Sequence, residues 1–288
     1  MNPQFPIYIV SYKRWDSRLT VRALDSMKVP YMVIVDKVDY DKYANVIPKE
    51  KLLALPQKYR DNYDMYWEDD DKRTGAGAAR NFAWDHSIKR GFSHHWVIDD
   101  NIRSFKRLHK NRKIKVTNGA IFKAAEDFVL RYKNVAISGF NYDFFCAQSS
   151  KYPPYVANIK VYSCLLIQND IPFRWRGRYN EDVDICIRVL KAGYPTIQFN
   201  AFLQQKANTQ TVSGGNMKEF YGKEGTYKKS RMLYEMHPDV VRMMWRYGRC
   251  HHFVDYRPFK KNRLIRKKGL KIPNKVNNYG MKLTKIKG

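Results

Sequence analysis

The stretch "HHWVIDDNI" (94–102) runs from aromatic and apolar residues straight into Asp99, Asp100 and Asn101. Adjacent carboxylates repel, so two of them at the end of a strand-like run call for a cationic partner. In open α/β sheets the carboxyl ends of strands face the ligand crevice. Oxygen ligands delivered there suit a hard divalent cation, Mg²⁺ or Mn²⁺, which keeps several waters and bridges phosphates. Asp-Asp-Asn also ends strands and opens turns without any ligand, so the triplet draws its weight from its neighbours.

One neighbour is "RTGAGAARN" (73–81), where small residues precede Arg80 and Asn81 at a helix start. Glycine at a helix N-terminus lets a phosphate or nucleotide approach closely. No Gly-Lys-Ser/Thr follows, so this is not a Walker loop. The other neighbour is "RWRGRYNEDVDICIRVLKAG" (174–193), with Glu181 and Asp182 opening an amphipathic helix. Acids are favoured there by the helix dipole alone. The preceding arginines, with Asp184 and Arg188 in the helix, make a crowded charged site.

The elements that must position these groups can be read from periodicity. "FPIYIVSY" (5–12) reads as a buried strand, 14–29 as a helix with Leu19, Ala23 and Met27 on one face, and "YMVIVD" (31–36) as a second strand. A β-α-β opening implies a parallel sheet with helical crossovers. Beyond it, 46–56 adds a short strand and 57–77 a long polar loop, and 77–91 forms a helix closed by Gly91. The pattern then predicts a helix over 118–132, strands at 134–140 and 155–170, a helix from 181 to Gly193, and a strand over 194–205. "TQTVSGGN" (209–216) is a Gly-rich loop, 217–236 is helical, and 103–115 is a basic stretch.

Lys and Arg number 54 against 27 acids, a net charge of +27. Such an excess repels itself and points to a polyanionic partner, nucleic acid before membrane. From Arg257 to Gly288 there is no acid, so a basic tail is expected. Cys146, Cys164, Cys186 and Cys250 show no zinc or disulfide spacing and read as reduced thiols. No signal peptide and no apolar run of membrane-spanning length is evident.

In order, the strand "IYIVSYKR", a second strand ending "VIVD", the "AARN" helix, the "WVIDD" strand and the "NEDVD" helix resemble the GT-A glycosyltransferases. More narrowly, "YIVSYKRWDSRLT", "RTGAGAARNFAWDHSIKRGFSHHWVIDDNI", "RYNEDVDICIRVLKAGY", "TVSGGN" and "GRCHHFVDYRPFKKNRL" make the chain look like the phage TET-associated glycosyltransferases, up to about residue 265.

The resemblance implies a GT-A-type, Rossmann-like α/β fold: a mixed, mostly parallel sheet flanked by helices over 1–256, with a basic C-terminal extension over 257–288. It implies a metal-dependent enzyme of the infected host's cytoplasm that transfers sugar from a UDP-sugar to 5-hydroxymethylcytosine in double-stranded DNA, with no membrane partner. Asp182 is then the expected general base of an inverting reaction, with Glu181 beside it. Ser11, Tyr12, Arg14 and Asp36 are expected to receive the nucleotide, with Tyr12 stacking on the base. Arg73, Gly77, Arg80, Asn81 and Asp99 are expected along the ribose and diphosphate. Asp99, Asp100, Asn101 and a late histidine, His252, are the expected metal ligands. The family pattern is Asp-X-Asp, and Asn101 at its third position is a departure that weakens the ligand set. A GT-A enzyme with a non-DNA acceptor, a metal-dependent nuclease and a non-catalytic basic DNA-binding protein stay open as alternatives.

Overall fold

The structure is a computed structural model that describes residues 1–68, 75–147, 152–207 and 225–270. It opens with β1 (Ile7–Val10), α1 (Leu19–Ser26) and β2 (Met32–Asp36), the two strands parallel as expected. α1 is shorter than its apolar spacing predicts. Lys13 and Arg18 take left-handed backbone, at φ 52° and 42°, which a continuous helix excludes. The intervening segment turns back over the strand ends instead. α2 (Tyr40–Ala44), β3 (Leu52–Leu55) and α3 (Gln57–Asp61) follow. α4 (Gly77–Lys89) stops where its glycine predicts, with Gly91 left-handed at φ 77°.

β4 (His94–Asp99) leads into β5 (Ile102–His109) and β6 (Arg112–Lys115). The basic stretch is therefore a hairpin. It turns on Lys110 and Asn111, both left-handed, as a tight two-residue turn requires. α5 (Ala120–Val129) and β7 (Ile137–Tyr142) come next. The single strand expected over 155–170 is two, β8 (Tyr155–Ala157) and β9 (Cys164–Gln168), with left-handed Asn158 and Ser163 in the break. α6 (Glu181–Lys191), β10 (Thr196–Lys206), α7 (Gly225–Met236), β11 (Val241–Arg246) and β12 (Arg249–Val254) complete the described elements.

Among the described residues the main sheet has ten strands, in the order β3-β2-β1-β4-β9-β7-β10-β5-β6, with β8 on β10. β5, β8 and β9 run against the other seven. This is the mixed, mostly parallel α/β sheet flanked by helices that was expected. β11 and β12 stand apart as a two-stranded ribbon.

Strand alternation sends side chains into two apolar layers, because helices cover both sheet faces. Ile7 and Ile9 join Trp96, Phe122 and Phe140 on one face, while Tyr8 and Val10 join Trp84, Val97 and Leu165 on the other. α6 is buried on two sides. Ile185, Cys186 and Val189 face the sheet, and Val183, Ile187 and Leu190 face α7 and the ribbon root. The four cysteines are buried and form no disulfide. No helix among the described residues is long and apolar enough to cross a membrane.

Several expectations lie partly or wholly outside the described residues, among them parts of the loop over 57–77 and of the helix over 217–236. Of the expected basic tail, Phe259 is buried, Asn262 Nδ2 donates to the Leu190 carbonyl, and Lys267 N donates to the Arg131 carbonyl. Residues 271–288 lie outside the described set, as do Arg73 and the Gly-rich loop at 209–216.

Candidate active site

β1, β2, β4, β7 and β10 point the same way, so Ser11, Asp36, Asp99, Tyr142 and Lys206 all arrive at one edge of the sheet. Asp99 lies at its centre. Its Oδ1 accepts from Arg80 Nη2 at 2.8 Å and its Oδ2 from Lys206 Nζ at 2.8 Å. Lys206 also donates to Ser163 Oγ at 2.7 Å, which pairs with the Tyr142 hydroxyl at 2.7 Å. Burial opposes ionisation of Asp99, but the Lys206 ammonium and Arg80 guanidinium outweigh it and hold the carboxyl well below its usual range. The charge repulsion noted in the sequence is thus relieved within the chain, by cations from α4 and β10.

Asp100 points elsewhere. Ser11 Oγ donates to its Oδ2 at 2.8 Å, and Arg14 forms an ion pair with its Oδ1. Tyr43 fixes both partners: its hydroxyl lies 2.6 Å from Ser11 Oγ and accepts from Arg14 N at 2.9 Å. Burial nevertheless raises the Asp100 carboxyl, with Arg14 and Ser11 pulling it back. Asp100 therefore ties the turn after β1 to the end of β4. Asn101 is buried, and its Oδ1 accepts no hydrogen bond among the described residues.

Other expected nucleotide contacts are held by protein partners. Arg60 grips Asp36, donating from Nη2 to Oδ1 at 3.1 Å and to Oδ2 at 3.0 Å. Asn81 clasps the Trp175 backbone, donating to its carbonyl at 3.0 Å and accepting from its N at 2.9 Å. At Gly77 a Cβ would meet the Tyr63 hydroxyl at 1.8 Å, so glycine is needed there for packing. Tyr12 is half-buried, with the Lys13 ammonium 4.7 Å from its ring centre.

Arg80 joins this cluster to the start of α6. It is 3% exposed, its guanidinium lies 4.6 Å from the Trp175 ring centre, and its Nη1 is 3.1 Å from Glu181 Oε1. Asn180 precedes α6 in left-handed backbone at φ 54°. Burial pushes both Glu181 and Asp182 above the usual carboxylate range. Arg80 pulls each back, Asp182 raises Glu181 further, and Asp99 raises both. A carboxylate with raised proton affinity is a better general base at neutral pH. Asp184, one turn along, is consumed by structure: Arg176 and Arg188 bind it, and His237 Nε2 lies 2.8 Å from its Oδ1.

A divalent cation fits part of the expected ligand set. A carboxylate offers about four lone-pair sites, so Asp99 retains capacity beyond Arg80 and Lys206, and Asn101 Oδ1 has no partner among the described residues. One carboxylate plus phosphate and water oxygens is a usual shell for Mg²⁺. Asp100 is already enclosed by Ser11 and Arg14. His252 stands on β12, opposite Met243, with burial pushing its imidazole down to about 3. Among the described residues no group of three or more His, Cys, Asp or Glu side chains is arranged to hold a metal ion.

Lys206 and Ser163 escaped the sequence reading. The signal for Lys206 was of the same kind as that for Asp99, a charged residue closing an apolar run ("NAFLQQK"). Beside Lys206 opens a cavity of about 370 Å³, lined among the described residues by Arg103, Lys113, Asp143, Phe144, Gln205 and Ala207 as well.

Residues 5–215 match the family model described as TET-Associated Glycosyltransferase. No curated protein matches the chain.

Proposed function

The chain belongs to the TET-associated glycosyltransferase family, and from that premise we propose that it moves a sugar from a UDP-sugar to the hydroxymethyl group of 5-hydroxymethylcytosine in double-stranded DNA, inverting the anomeric carbon. The observation that carries this reading is the Arg80 bridge. One guanidinium reaches Asp99 at 2.8 Å and Glu181 at 3.1 Å, so the diphosphate end and the base end of a transfer reaction lie within one side chain of each other.

In this mechanism Asp182 takes the proton from the acceptor hydroxyl as its oxygen attacks the anomeric carbon. The bond from that carbon to the diphosphate breaks. The charge gathering on the leaving oxygen falls beside Lys206 and Arg80, whose positions are fixed before reaction. A divalent cation, Mn²⁺ or Mg²⁺, held by Asp99 and Asn101 supplies further neutralisation of the diphosphate when bound. Ser11 and Arg14 close the nucleotide side through Asp100, Tyr12 offers a ring to the uracil, and Asp36 keeps lone pairs beyond Arg60 for a base N–H.

Support for a DNA acceptor comes from charge. The β5–β6 hairpin carries Arg103, Lys106, Arg107, Lys110, Arg112, Lys113 and Lys115 without a single acid between Ile102 and Lys115. Phosphate contacts of this kind give salt-sensitive, sequence-independent affinity. The test is incubation with a panel of UDP-sugars and duplex DNA bearing either cytosine or 5-hydroxymethylcytosine, with Mn²⁺ or with a chelator, followed by digestion and nucleoside mass spectrometry. A sugar-sized mass gain confined to hydroxymethylcytosine and lost with chelator is the expected result. Donor hydrolysis without DNA modification overturns the acceptor. Full transfer in chelator overturns the metal.

A further inference from the structure

β11 and β12 form a ribbon that the crevice chemistry does not use. Tyr247 and Gly248 at its tip are both left-handed, at φ 52° and 69°. That is the tight turn whose twist matches paired antiparallel strands. The register pairs Arg242 with Phe253, Met244 with His251 and Arg246 with Arg249, so these six share one face. The opposite face roots the ribbon: Val241 and Val254 pack against Val183, Ile187 and Leu190 of α6.

Two features of the ribbon face solvent, apart from the contacts of Arg242 and Arg246 with the ribbon's own Phe253 and Tyr247 rings, at 5.0 Å and 4.9 Å. Arg246 and Arg249 are direct cross-strand neighbours, and like charges placed so destabilise the pair. No acid occurs between Val241 and Val254, and neither Arg246 nor Arg249 forms an ion pair among the described residues, while the Arg242 charge acts on Asp255 just beyond β12. Trp245 and Tyr247 are also 76% and 78% exposed at the tip. Arginines facing each other near the tip, with the exposed Tyr247 ring under Arg246 and the exposed Trp245 ring on the other strand face, match a partner that offers phosphates and flat bases together. The ribbon's outer face alternates charge with apolar groups, unlike the continuous apolar face that a membrane interface takes.

The root places this surface at the acceptor side. α6, which clamps the ribbon, begins with Glu181 and Asp182. The charges of Lys160 and Lys229 also reach both Asp182 and His252 on β12. The ribbon lies beyond the 5–215 segment matched by the family model, so that match assigns it nothing.

We propose that the β11–β12 ribbon is a duplex-DNA grip: it enters a groove beside the acceptor nucleotide, with Arg242, Arg246 and Arg249 on phosphates and Trp245 and Tyr247 against bases at the tip. A two-stranded ribbon is of a size that the major groove admits, and base–aromatic stacking tolerates any sequence. The proposal rests on the reading of the acceptor as a base in DNA.

The test uses the full chain and the variants W245A/Y247A, R246E/R249E and, as a charge-preserving control, R246K/R249K. Duplex binding is measured by fluorescence anisotropy across a salt series, alongside transfer to duplex, donor hydrolysis and circular dichroism. Both disruptive variants are expected to weaken duplex binding at least tenfold and lower transfer to duplex with it, with donor hydrolysis and circular dichroism unchanged. R246E/R249E should also reduce the salt slope by about 2, one for each lost phosphate contact, and R246K/R249K should stay near the parent. Unchanged duplex affinity in the disruptive variants overturns the proposal. So does binding of anionic phosphatidylserine vesicles that is lost in the variants while duplex binding is kept. If the parent binds duplex through the ribbon yet modifies no base, the acceptor reading fails and the grip stands. If the parent modifies DNA and the disruptive variants do so equally, the grip fails and the acceptor reading stands.

Discussion

The crevice and the ribbon handle charge in opposite ways. At the crevice, Asp99 lies between Arg80 and Lys206, and Asp100 between Ser11 and Arg14. At the ribbon, Arg246 faces Arg249 and no acid lies between Val241 and Val254. The first arrangement holds groups fixed in a buried place, where an unpaired charge is costly. The second leaves charge exposed to water, where it costs little and attracts a polyanion. On the proposed reading the crevice performs the chemistry and the ribbon makes the contact, and α6 joins the two.

The largest expected effect breaks the chemical region alone. Asp182→Asn removes the base while keeping shape, and kcat should fall by roughly 10²–10⁴-fold with duplex affinity unchanged. Glu181→Gln should cost less, because Glu181 is the neighbour held by Arg80. The pH profile sharpens the assignment. Asp182 must be unprotonated to act, so kcat/KM rises with pH through its proton affinity. Burial and Asp99 raise that affinity, while Arg80, Lys206 and Lys229 lower it and the balance is upward. The acid limb should therefore lie above the ordinary Asp value of about 3.9 and vanish in Asp182→Asn. An acid limb that persists there assigns the base to another group.

Lys206 tests whether the fixed cations matter beyond holding Asp99. Lys206→Ala should lower kcat by about 10²-fold. It should also destabilise the fold by on the order of 3 kcal/mol, the low end for a broken buried pair, since Asp99 keeps Arg80. Lys206→Arg should recover most stability. Steady-state kinetics and thermal unfolding on the same preparations separate the two roles. A stability loss with kcat intact makes Lys206 purely structural.

The two regions also differed in how far the sequence disclosed them. β1, β2, β4 and α6 were legible because apolar runs end in charged residues and glycines close the helices. Asp99 and Asp182 stood out as candidates for the same reason. Their partners could not: Arg80 reaches Glu181 across 101 residues and Lys206 reaches Asp99 across 107, and no local pattern encodes such pairings. Asp36 and Asn81 looked open to a nucleotide because the groups that engage them, Arg60 at 24 residues and the Trp175 backbone at 94, likewise lie in other elements. The ribbon went unread because "VRMMWRYGRCHHFV" alternates only weakly and its turn is Tyr-Gly instead of Asn-Gly, the strongest hairpin signal. The β5–β6 hairpin hid in the same way, since its seven basic residues drew attention to charge and away from alternation.

The smallest expected effect sets the comparison at its finest. If Arg246 and Arg249 repel across the ribbon, removing one should stabilise the free protein. Threonine suits an exposed strand position and carries no charge, so Arg249→Thr should gain about 0.2–1 kcal/mol, the range for a cross-strand pair. Differential scanning calorimetry at low salt should show a rise in Tm, and the gain should shrink as added salt screens the repulsion. The same substitution should weaken duplex binding, because the charge that burdens the free ribbon is the one that meets a phosphate. Stability and affinity moving in opposite directions at one exposed residue is the mark of a binding surface. A loss of stability in Arg249→Thr would mean that the arginine is held by contacts within the fold, and the contrast with the crevice would then collapse.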